Sequence, residues 1–206
     1  HLPQLDINIV KKGDRIQLGE IGVEFFHVNH NIPDDTAIIV ETPVGRIVHT
    51  ADFKFDATPL NEEPADLDFI KTIGDRGFSV LMSDSTGAEK PGNTISESII
   101  QDNLEEIFKE SSGRIIVGTF SSLINRIQQL ITLSEKYGRK VIFDGFSLKS
   151  NIEFAKESGQ IKVQKNTQVP MEQIDSYPPE KVTVIGTGAQ GEGRAVLMRI
   201  ASGEHR

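Results

Sequence analysis

The apolar residues of this chain change their pattern near residue 95, and that change constrains the fold more than any other feature of the sequence. Before it, short apolar runs alternate with turn residues: 16–18 and 23–28 form one candidate hairpin, and 36–41 and 46–50 form a second. After it, apolar runs of strand length alternate with stretches of helical periodicity. Such alternation is typical of βα units with parallel strand pairing. We therefore predict an α/β fold with a domain boundary near residue 95.

The same patterns predict the individual elements. Thr42, Pro43 and Gly45 supply turn residues between the strands of the second hairpin. The later elements are helices near 67–73, from about 97, around 123–131, through 151–157 and from about 194 to 200, and strands at 78–82, 114–117, 140–143 and 181–185.

Cysteine is absent from the 206 residues, which excludes a disulfide framework, a thiolate nucleophile and sulfur metal ligands. Any metal must therefore bind to His, Asp or Glu, and a reducing cytoplasm is the expected setting. No apolar run approaches the roughly 20 residues that span a bilayer, and the N-terminus lacks a basic stretch followed by an apolar one. We expect neither membrane insertion nor a signal peptide.

Charge is distributed unevenly along the chain. Residues 1–95 hold 8 Lys and Arg against 16 Asp and Glu, whereas residues 96–206 hold 14 of each class. The net charge of −8 therefore comes from the first part, and the second part can still face a polyanion. An acidic first part fits a cation-binding half, and solvated surface carboxylates explain it equally simply.

Two residues with metal-binding side chains occur where apolar strands end. His30 follows the run 23–28 and precedes Pro33, and Asp52 follows the run 46–50. Side chains at neighbouring strand ends can converge on one ligand, which makes these residues candidate metal ligands. A satisfied hydrogen-bonding role is the alternative for each, and the spacing alone leaves both open.

Five blocks of sequence occur in the order in which one enzyme family carries them. The blocks are His30-Asn-Ile-Pro-Asp34, Val48-His-Thr-Ala-Asp-Phe-Lys-Phe-Asp56, Ser83-Asp-Ser-Thr86 with Glu89 and Pro91-Gly92, Gly118-Thr-Phe-Ser-Ser122 with Asn125-Arg126, and Gly186-Thr-Gly-Ala-Gln-Gly-Glu192. On these residues the chain resembles the ribonuclease J family, and the blocks extend over nearly its whole length.

The resemblance implies an α/β chain made of two parts. Residues 1–95 would form part of a metallo-β-lactamase αβ/βα sandwich, and residues 96–206 part of a β-CASP domain with alternating βα units. By position, His30 matches a metal ligand, Asp52 the catalytic carboxylate that bridges two metals, and Asp84 an acid that helps to orient the catalytic groups. The implied cofactor is zinc, as two divalent cations, with manganese or magnesium as alternatives.

The function implied by the resemblance is metal-dependent hydrolysis of RNA phosphodiester bonds. Family members act as 5′-to-3′ exonucleases and as endonucleases in RNA maturation and decay, and two cations polarise the phosphoryl group and activate a water. The implied partner is RNA, with a preference for a 5′ monophosphate. Homodimers or homotetramers are expected.

Three residues of the fourth block are candidate RNA contacts. Ser121 and Ser122 precede a predicted helix, and Arg126 lies about one turn into it. Backbone N–H groups and hydroxyls at a helix start can bind a phosphate. Simple capping of the helix by Ser or Thr is the alternative and remains open at this point.

The fifth block is a glycine-rich turn that follows a predicted strand and precedes a helix. Under the ribonuclease interpretation, Gly188 and Gly191 let the backbone approach RNA, and Gln190 and Glu192 offer polar contacts. The same turn matches the G-x-G-x-x-G pattern of a dinucleotide-binding module, but only 15 residues follow Gly191, before any ribose-binding acid. A plain tight turn before a helix is the third interpretation.

The chain also departs from the family pattern. It contains no His-x-His-x-Asp-His motif, and it stops before the downstream histidines of the family, so we expect an internal fragment that is inactive alone. Asn125 stands where the family usually has His, and Phe146 where it often has Arg. These changes keep open a catalytically inactive, RNA-binding or scaffolding paralogue. A hydrolase of small esters or thioesters is a further alternative, although the βα insertion exceeds its needs.

Overall fold

The computed structural model describes residues 7–193 and 195–205. The chain divides into two compact units. The first comprises residues 1–30 and 34–96, and the second comprises residues 31–33 and 97–206. Within the described residues, no helix is both long enough and apolar enough to cross a membrane.

The first unit is built on a five-stranded sheet with the strand order β1-β2-β3-β4-β5. Its elements are β1 (Arg15–Leu18), β2 (Ile21–His27), β3 (Thr36–Thr42), β4 (Gly45–His49), α1 (Leu67–Arg76) and β5 (Val80–Met82). The first four strands pair antiparallel, which confirms both predicted hairpins, and β5 pairs parallel with β4. The α1 helix begins where Asp66 caps it by accepting a 2.9 Å hydrogen bond from the Phe69 N–H.

The core of the first unit lies between the sheet and α1. Alternate residues of the strands point to this side, because successive side chains of a strand face opposite ways. The buried set is Phe26, Val28, Ala37, Ile39, Val48 and Ile73, with Phe53, Phe69 and Ile70 packed against it. This apolar layer fixes the ends of β2 and β4, from which the candidate metal ligands follow.

The second unit is built on a three-stranded parallel sheet with the order β6-β8-β7. Its elements are α2 (Glu97–Glu110), β6 (Ile115–Gly118), α3 (Ile124–Lys136), β7 (Lys140–Asp144), α4 (Phe146–Glu157), β8 (Val182–Gly186) and α5 (Val196–Ala201), with 3₁₀ turns at Met171–Ser176 and Pro179–Lys181. The parallel pairing and the α/β class agree with the sequence prediction.

Both faces of the second sheet are covered, which explains its continuous apolar strands. On one face, Phe143 and Ile185 pack in a core with the apolar sides of α3 and α4. On the other, Ile142 and Val184 pack with Val169 and neighbours from the 170–177 segment. All five residues of β8 are buried because it is the central strand.

Two helix starts differ from the sequence prediction. The α4 helix begins at Phe146, five residues before the predicted start at 151, because buried Leu148 extends the apolar stripe of Ile152. Gly145, with φ 106°, turns the chain directly from β7 into this helix. The last helix begins at Val196, and its predicted start at Arg194 lies outside the described residues.

Candidate functional site

The first unit brings the two predicted metal ligands together. β2 and β4 both pair antiparallel with β3, so they run in the same direction and end at the same edge of the sheet. His30 and Asp52 each follow their strand by three residues. Nδ1 of His30 lies 4.0 Å from Oδ2 of Asp52, and the side chains are 31% and 74% exposed. Strand topology therefore produces the convergence that the sequence left open.

The backbone before Asp52 adopts an unusual conformation. Ala51 has φ 54°, in the left-handed region that non-glycine residues rarely occupy. Its N–H donates a 3.0 Å hydrogen bond to Nδ1 of His49, and its carbonyl accepts one of 2.8 Å from the Thr50 hydroxyl. These bonds hold the turn that carries Asp52 away from β4. Backbone strain of this kind is often found at functional sites.

Asp84 lies beside the same pair. It follows β5, and its N–H donates a 3.1 Å hydrogen bond to the hydroxyl of Thr50. The Thr86 N–H donates 2.8 Å to the Asp84 carboxylate. Hydrogen bonds from the Thr86 N–H and hydroxyl, followed by the Phe53 N–H and the charge of His30, lower the pKa of Asp84. The carboxylate is therefore held in its ionised form close to His30.

These donors fit a divalent cation as part of its coordination sphere. The ligand atoms of a tetrahedral zinc ion lie about 3.4 Å apart, so a separation of 4.0 Å needs only a small side-chain adjustment. Imidazole nitrogen and carboxylate oxygen suit zinc and other divalent metals. Within residues 7–193 and 195–205, no group of three or more His, Cys, Asp or Glu side chains is placed to hold a metal. The described chain thus supplies two convergent donors, His30 and Asp52.

The second unit gathers the predicted RNA-binding segments at one edge of its sheet. Gly118 of β6 and Gly186 of β8 are paired in register, so the 119–122 segment and the glycine-rich turn leave neighbouring strands at their carboxyl ends. The Thr119 N–H donates a 2.9 Å hydrogen bond to the Gly186 carbonyl. Ligands of open α/β sheets commonly bind at this edge.

Within the glycine-rich turn, the residues differ in exposure. Gln190, Gly191 and Glu192 are exposed, whereas Gly188 is buried. The Gly191 N–H donates a 3.1 Å hydrogen bond to the Gly188 carbonyl and closes the turn. The exposed residues are accessible to a ligand, and Gly188 supports them from beneath.

Close helix packing accounts for two of these glycines. A Cβ atom on Gly186 would lie 2.9 Å from the Val196 side chain, and one on Gly188 would lie 3.0 Å from Leu197 Cβ. Gly188 also has φ 117°, which disfavours other residues. Contact with α5 thus explains this spacing without a dinucleotide. β8 is moreover the last of the three strands along the chain, whereas the dinucleotide motif follows the first.

The start of α3 differs from a serine-capped helix. The N-cap residue is Leu123, which makes no side-chain capping bond. Ser122 is exposed, and Ser121 is partly buried with its carbonyl accepting a 2.9 Å hydrogen bond from Asn151 Nδ2. The α3 helix is therefore not capped by a serine at its N-cap position.

Arg126 is engaged within the second unit. Its Nη2 atom donates a 2.7 Å hydrogen bond to Oε2 of Glu97, and the guanidinium-bearing side chain is 23% exposed. The same carboxylate oxygen accepts a 3.0 Å hydrogen bond from Gln129 Nε2. The predicted RNA contact of Arg126 thus competes with an internal ion pair.

Sequence reasoning missed a charged cluster at the end of β7. Nε2 of His205 lies 2.5 Å from Oδ2 of Asp144, and Lys149 and Arg199 approach the same carboxylate at 3.7 and 3.8 Å. Burial opposes ionisation of Asp144, but hydrogen bonds from His205 and the Gly145 N–H outweigh it and lower its pKa. Phe146 follows Asp144 by two residues, and its side chain is 91% exposed. The family resemblance implies an Arg at this position. Because 61 positions separate His205 from Asp144, no motif spacing in the sequence indicates that the two side chains meet.

One cavity of the second unit lies apart from these residues. It has a volume of about 500 Å³ and an open mouth, and its walls include Lys156, Lys162, Gln164, Asn166 and Gln168. None of the predicted site residues lines it. At its wall, Lys156 Nζ donates hydrogen bonds to Glu153 and Gln168.

Similar proteins were found by sequence and by structure. Residues 112–206 match the family model described as "Ribonuclease J, beta-CASP domain". The ribonuclease J of Helicobacter pylori is 40% identical over 198 residues, which are 96% of this chain and 29% of that protein. The ribonuclease J of Thermus thermophilus is 39% identical over 197 residues, 95% of this chain and 34% of that protein.

The fold has a counterpart among solved structures. A crystal structure of a protein of unknown function from Enterococcus faecalis matches with a TM-score of 0.61 and 15% sequence identity. The match covers 90% of this chain and 46% of that chain, and at this identity it supports the fold alone.

These observations define an α/β protein, and residues 112–206 of its second unit match the β-CASP domain model of ribonuclease J. The chain spans about a third of the length of the curated relatives that it matches. Over 95–96% of its length the chain is similar to proteins of the ribonuclease J family.

Proposed function

We propose that the protein that carries this chain is a metal-dependent ribonuclease, which hydrolyses RNA phosphodiester bonds as a 5′-to-3′ exonuclease and an endonuclease. The observation that carries the proposal is the approach of His30 Nδ1 to Asp52 Oδ2 at 4.0 Å in a chain that is 40% identical to a ribonuclease J over 198 residues. Asp84, held ionised beside them, supplies a further acid. We assign residues 1–95 to part of a metallo-β-lactamase core and 96–206 to part of a β-CASP domain.

The proposed cofactor is zinc, as two divalent cations, with manganese or magnesium as alternatives. Bound cations would polarise the phosphoryl group and lower the pKa of a water. His30 would donate a ring nitrogen to one cation, and Asp52 has two carboxylate oxygens with which it can bridge both. Asp84 would orient the reacting groups through its ionised carboxylate.

The proposed substrate contacts lie at the carboxyl edge of the second sheet. Ser121, Ser122, Gln190 and Glu192 emerge there, and the exposed backbone at Gly191, supported by buried Gly188, lets phosphates or sugars approach. Arg126 would contribute once a phosphate competes with Glu97 for its guanidinium. The proposed exonuclease substrate is a 5′-monophosphorylated RNA. We further propose that the active protein is a homodimer or homotetramer and that it acts in the cytoplasm.

Residues 7–193 and 195–205 supply two convergent donors, and a zinc hydrolase site needs at least three protein ligands. We therefore propose that the isolated chain does not cleave RNA. Activity would require further ligands contributed from outside these residues.

A cleavage assay tests the proposal. The longest reading frame that contains this segment is expressed and given 5′-monophosphorylated, 5′-triphosphorylated and circular RNA, with and without a chelator. We expect processive loss of the monophosphorylated substrate, internal cuts in the circular one, and restoration of activity when metal is added back. Cleavage that survives complete metal removal would contradict the proposal.

Variants in the same protein assign the residues. His30→Ala and Asp52→Asn should each abolish cleavage and leave RNA affinity nearly unchanged, since they act on the metal. Asp75→Asn, an exposed carboxylate on α1, is the control and should retain full activity. Cleavage at the wild-type rate by both metal-site variants would show that the ligand assignment is wrong.

A second candidate is an RNA-binding or scaffolding paralogue without catalytic activity. The internal pairing of Arg126 with Glu97 and the exposed Phe146 favour it, because both alter the expected RNA-facing surface. Saturable RNA binding by the complete reading frame, without cleavage under any metal condition, would establish this alternative.

A further inference from the structure

Asn29, the residue before His30, is a fully buried polar side chain at the edge of the candidate metal site. Its exposed fraction is 0%. Its Nδ2 atom donates a 2.8 Å hydrogen bond to the Glu63 carbonyl, and its Oδ1 atom accepts one of 2.8 Å from the Ala65 N–H. The carboxamide thus fastens the end of β2 to the 63–65 segment through both of its polar atoms.

The backbone of Asn29 makes a second connection. Its carbonyl accepts a 2.8 Å hydrogen bond from the N–H of Lys54, and the two residues form an isolated antiparallel bridge. His30 follows Asn29 directly, and Asp52 precedes Lys54 by two residues. This bridge therefore ties the segment that carries one predicted ligand to the segment that carries the other.

The side chain of Asn29 also supports β2 itself. Its Nδ2 atom lies 3.2 Å from Nε2 of His27, whose ring nitrogens lie 3.2 Å from the Asp35 carbonyl and 2.9 Å from the Glu63 carbonyl. The end of β2, the turn before β3 and the 63–65 segment thus share one polar network. A carboxamide has a donor and an acceptor at one branch point, whereas an ionised aspartate of the same size has acceptors alone.

From these contacts we propose that Asn29 is a positioning residue that sets the distance between His30 and Asp52. The inference rests on the proposed metal-dependent function, and it adds a residue that touches neither the metal nor the RNA. The carboxamide anchors Asn29, the backbone bridge transmits that anchoring to Lys54, and the two ligand-bearing turns keep their separation. Residues that orient metal ligands typically change metal affinity 10- to 100-fold when replaced.

The first test needs no metal. In the 206-residue chain, amide hydrogen exchange of Lys54 and Ala65 is measured by NMR for the wild type, Asn29→Asp and Asn29→Ala. Asn29→Asp keeps the acceptor for Ala65 but loses the donor to Glu63. We expect the Lys54 amide to exchange at least about tenfold faster in both variants, while β3 and β4 amides keep their protection. An unchanged Lys54 rate in a folded variant would overturn the proposal.

The second test uses Mn²⁺ as the probe. Its affinity is read from paramagnetic broadening of the Asp52 amide signal. Asn151→Asp is the control, because Asn151 makes a comparable 2.9 Å hydrogen bond to the Ser121 carbonyl within the second unit, away from the candidate metal ligands in sequence. An added carboxylate alone would strengthen Mn²⁺ binding, so an affinity about tenfold weaker in Asn29→Asp reports lost positioning. Equal affinity in wild type and Asn29→Asp would overturn the role of Asn29 and leave the proposed function intact. Failure of the wild type to bind at Asp52, both in this chain and in the longest reading frame that contains it, would refute the metal site itself, and the positioning role with it.

Discussion

Nη2 of Arg126 donates a 2.7 Å hydrogen bond to Oε2 of Glu97, so the predicted RNA-binding cation is paired within its own unit. Glu97→Gln removes the negative charge, and we expect it to raise RNA affinity by freeing the guanidinium. Arg126→Ala should weaken RNA binding and also destabilise the second unit by about 2 kcal/mol, because both side chains are largely buried.

Tyrosine fluorescence isolates the second unit for this measurement. The chain has no tryptophan, and its two tyrosines, Tyr137 and Tyr177, both lie in that unit. Urea unfolding followed by fluorescence therefore gives the stability change directly, and filter binding gives the RNA affinity. Lys165→Ala, which removes an exposed charge from the same unit, is the control. Equal RNA binding by Glu97→Gln and wild type would mean that Arg126 serves the fold alone.

Glu62 should make the stability of the first unit depend on pH. Burial raises its pKa, and a hydrogen bond from Asn29 and the charge of His27 only partly offset this effect. A carboxyl group whose folded pKa is raised costs stability once it ionises, so stability falls as pH rises from the unfolded pKa through the folded one. Glu62→Gln should therefore raise the unfolding midpoint by a few degrees at pH 7.

The same variant has a clear pH control. Below about pH 4 the carboxyl is protonated in both folded and unfolded chains, so the gain from Glu62→Gln should vanish. Thermal unfolding is followed through amide NMR signals of β2 and β3. Glu20→Gln, at an exposed position, should leave the midpoint unchanged at either pH. A gain that persists at low pH would point to a cause other than ionisation.

Asp84 should titrate below the usual range of an aspartate. The N–H and hydroxyl of Thr86 stabilise its ionised form and lower its pKa. Its contribution to stability is present above the unfolded pKa and is lost as pH falls through the lower folded value. Thr86→Val removes the hydroxyl and should move the midpoint of Asp84 upward in a carboxyl ¹³C NMR titration. An unmoved midpoint would assign the whole effect to the backbone N–H.

Arg139 should be the most sensitive charged residue of the second unit to replacement. It is 4% exposed, lies over the Phe108 ring, and donates to the carbonyls of Ser111, Gly113 and Val182. Arg139→Met would leave three carbonyl groups without their donor and should cost roughly 3 kcal/mol. Urea unfolding followed by tyrosine fluorescence measures the loss, with Lys165→Met as the exposed control. A loss below 1 kcal/mol would show that water replaces the guanidinium.

The sequence was sufficient for the elements and for part of the site. Short apolar runs separated by turn residues predicted both hairpins, and strand-length runs that alternate with helical apolar patterns predicted the parallel βα units, because apolar patterns report which residues are buried. The sequence also placed His30 and Asp52 at strand ends but left their convergence open, and the shared direction of β2 and β4 in the sheet brings them together. These features depend on local order along the chain.

Side-chain partners at long range could not be predicted. Arg126 meets Glu97 across 29 positions, and Asp144 meets His205 across 61. Apolar periodicity carries no information about such pairs, because it records burial and not which charges become neighbours. The early start of α4 was missed for a local reason: Gly145 permits a turn that leads directly from strand to helix.

The most direct test of the central claim is to locate a divalent cation on the chain. Mn²⁺ is added to the ¹⁵N-labelled 206-residue chain, and the broadening of each amide signal is mapped. We expect broadening centred on His30 and Asp52 with Asp84 nearby, and its loss in His30→Ala and Asp52→Asn. Broadening that is centred elsewhere, or that persists unchanged in both variants, would contradict the assignment of these residues as metal ligands.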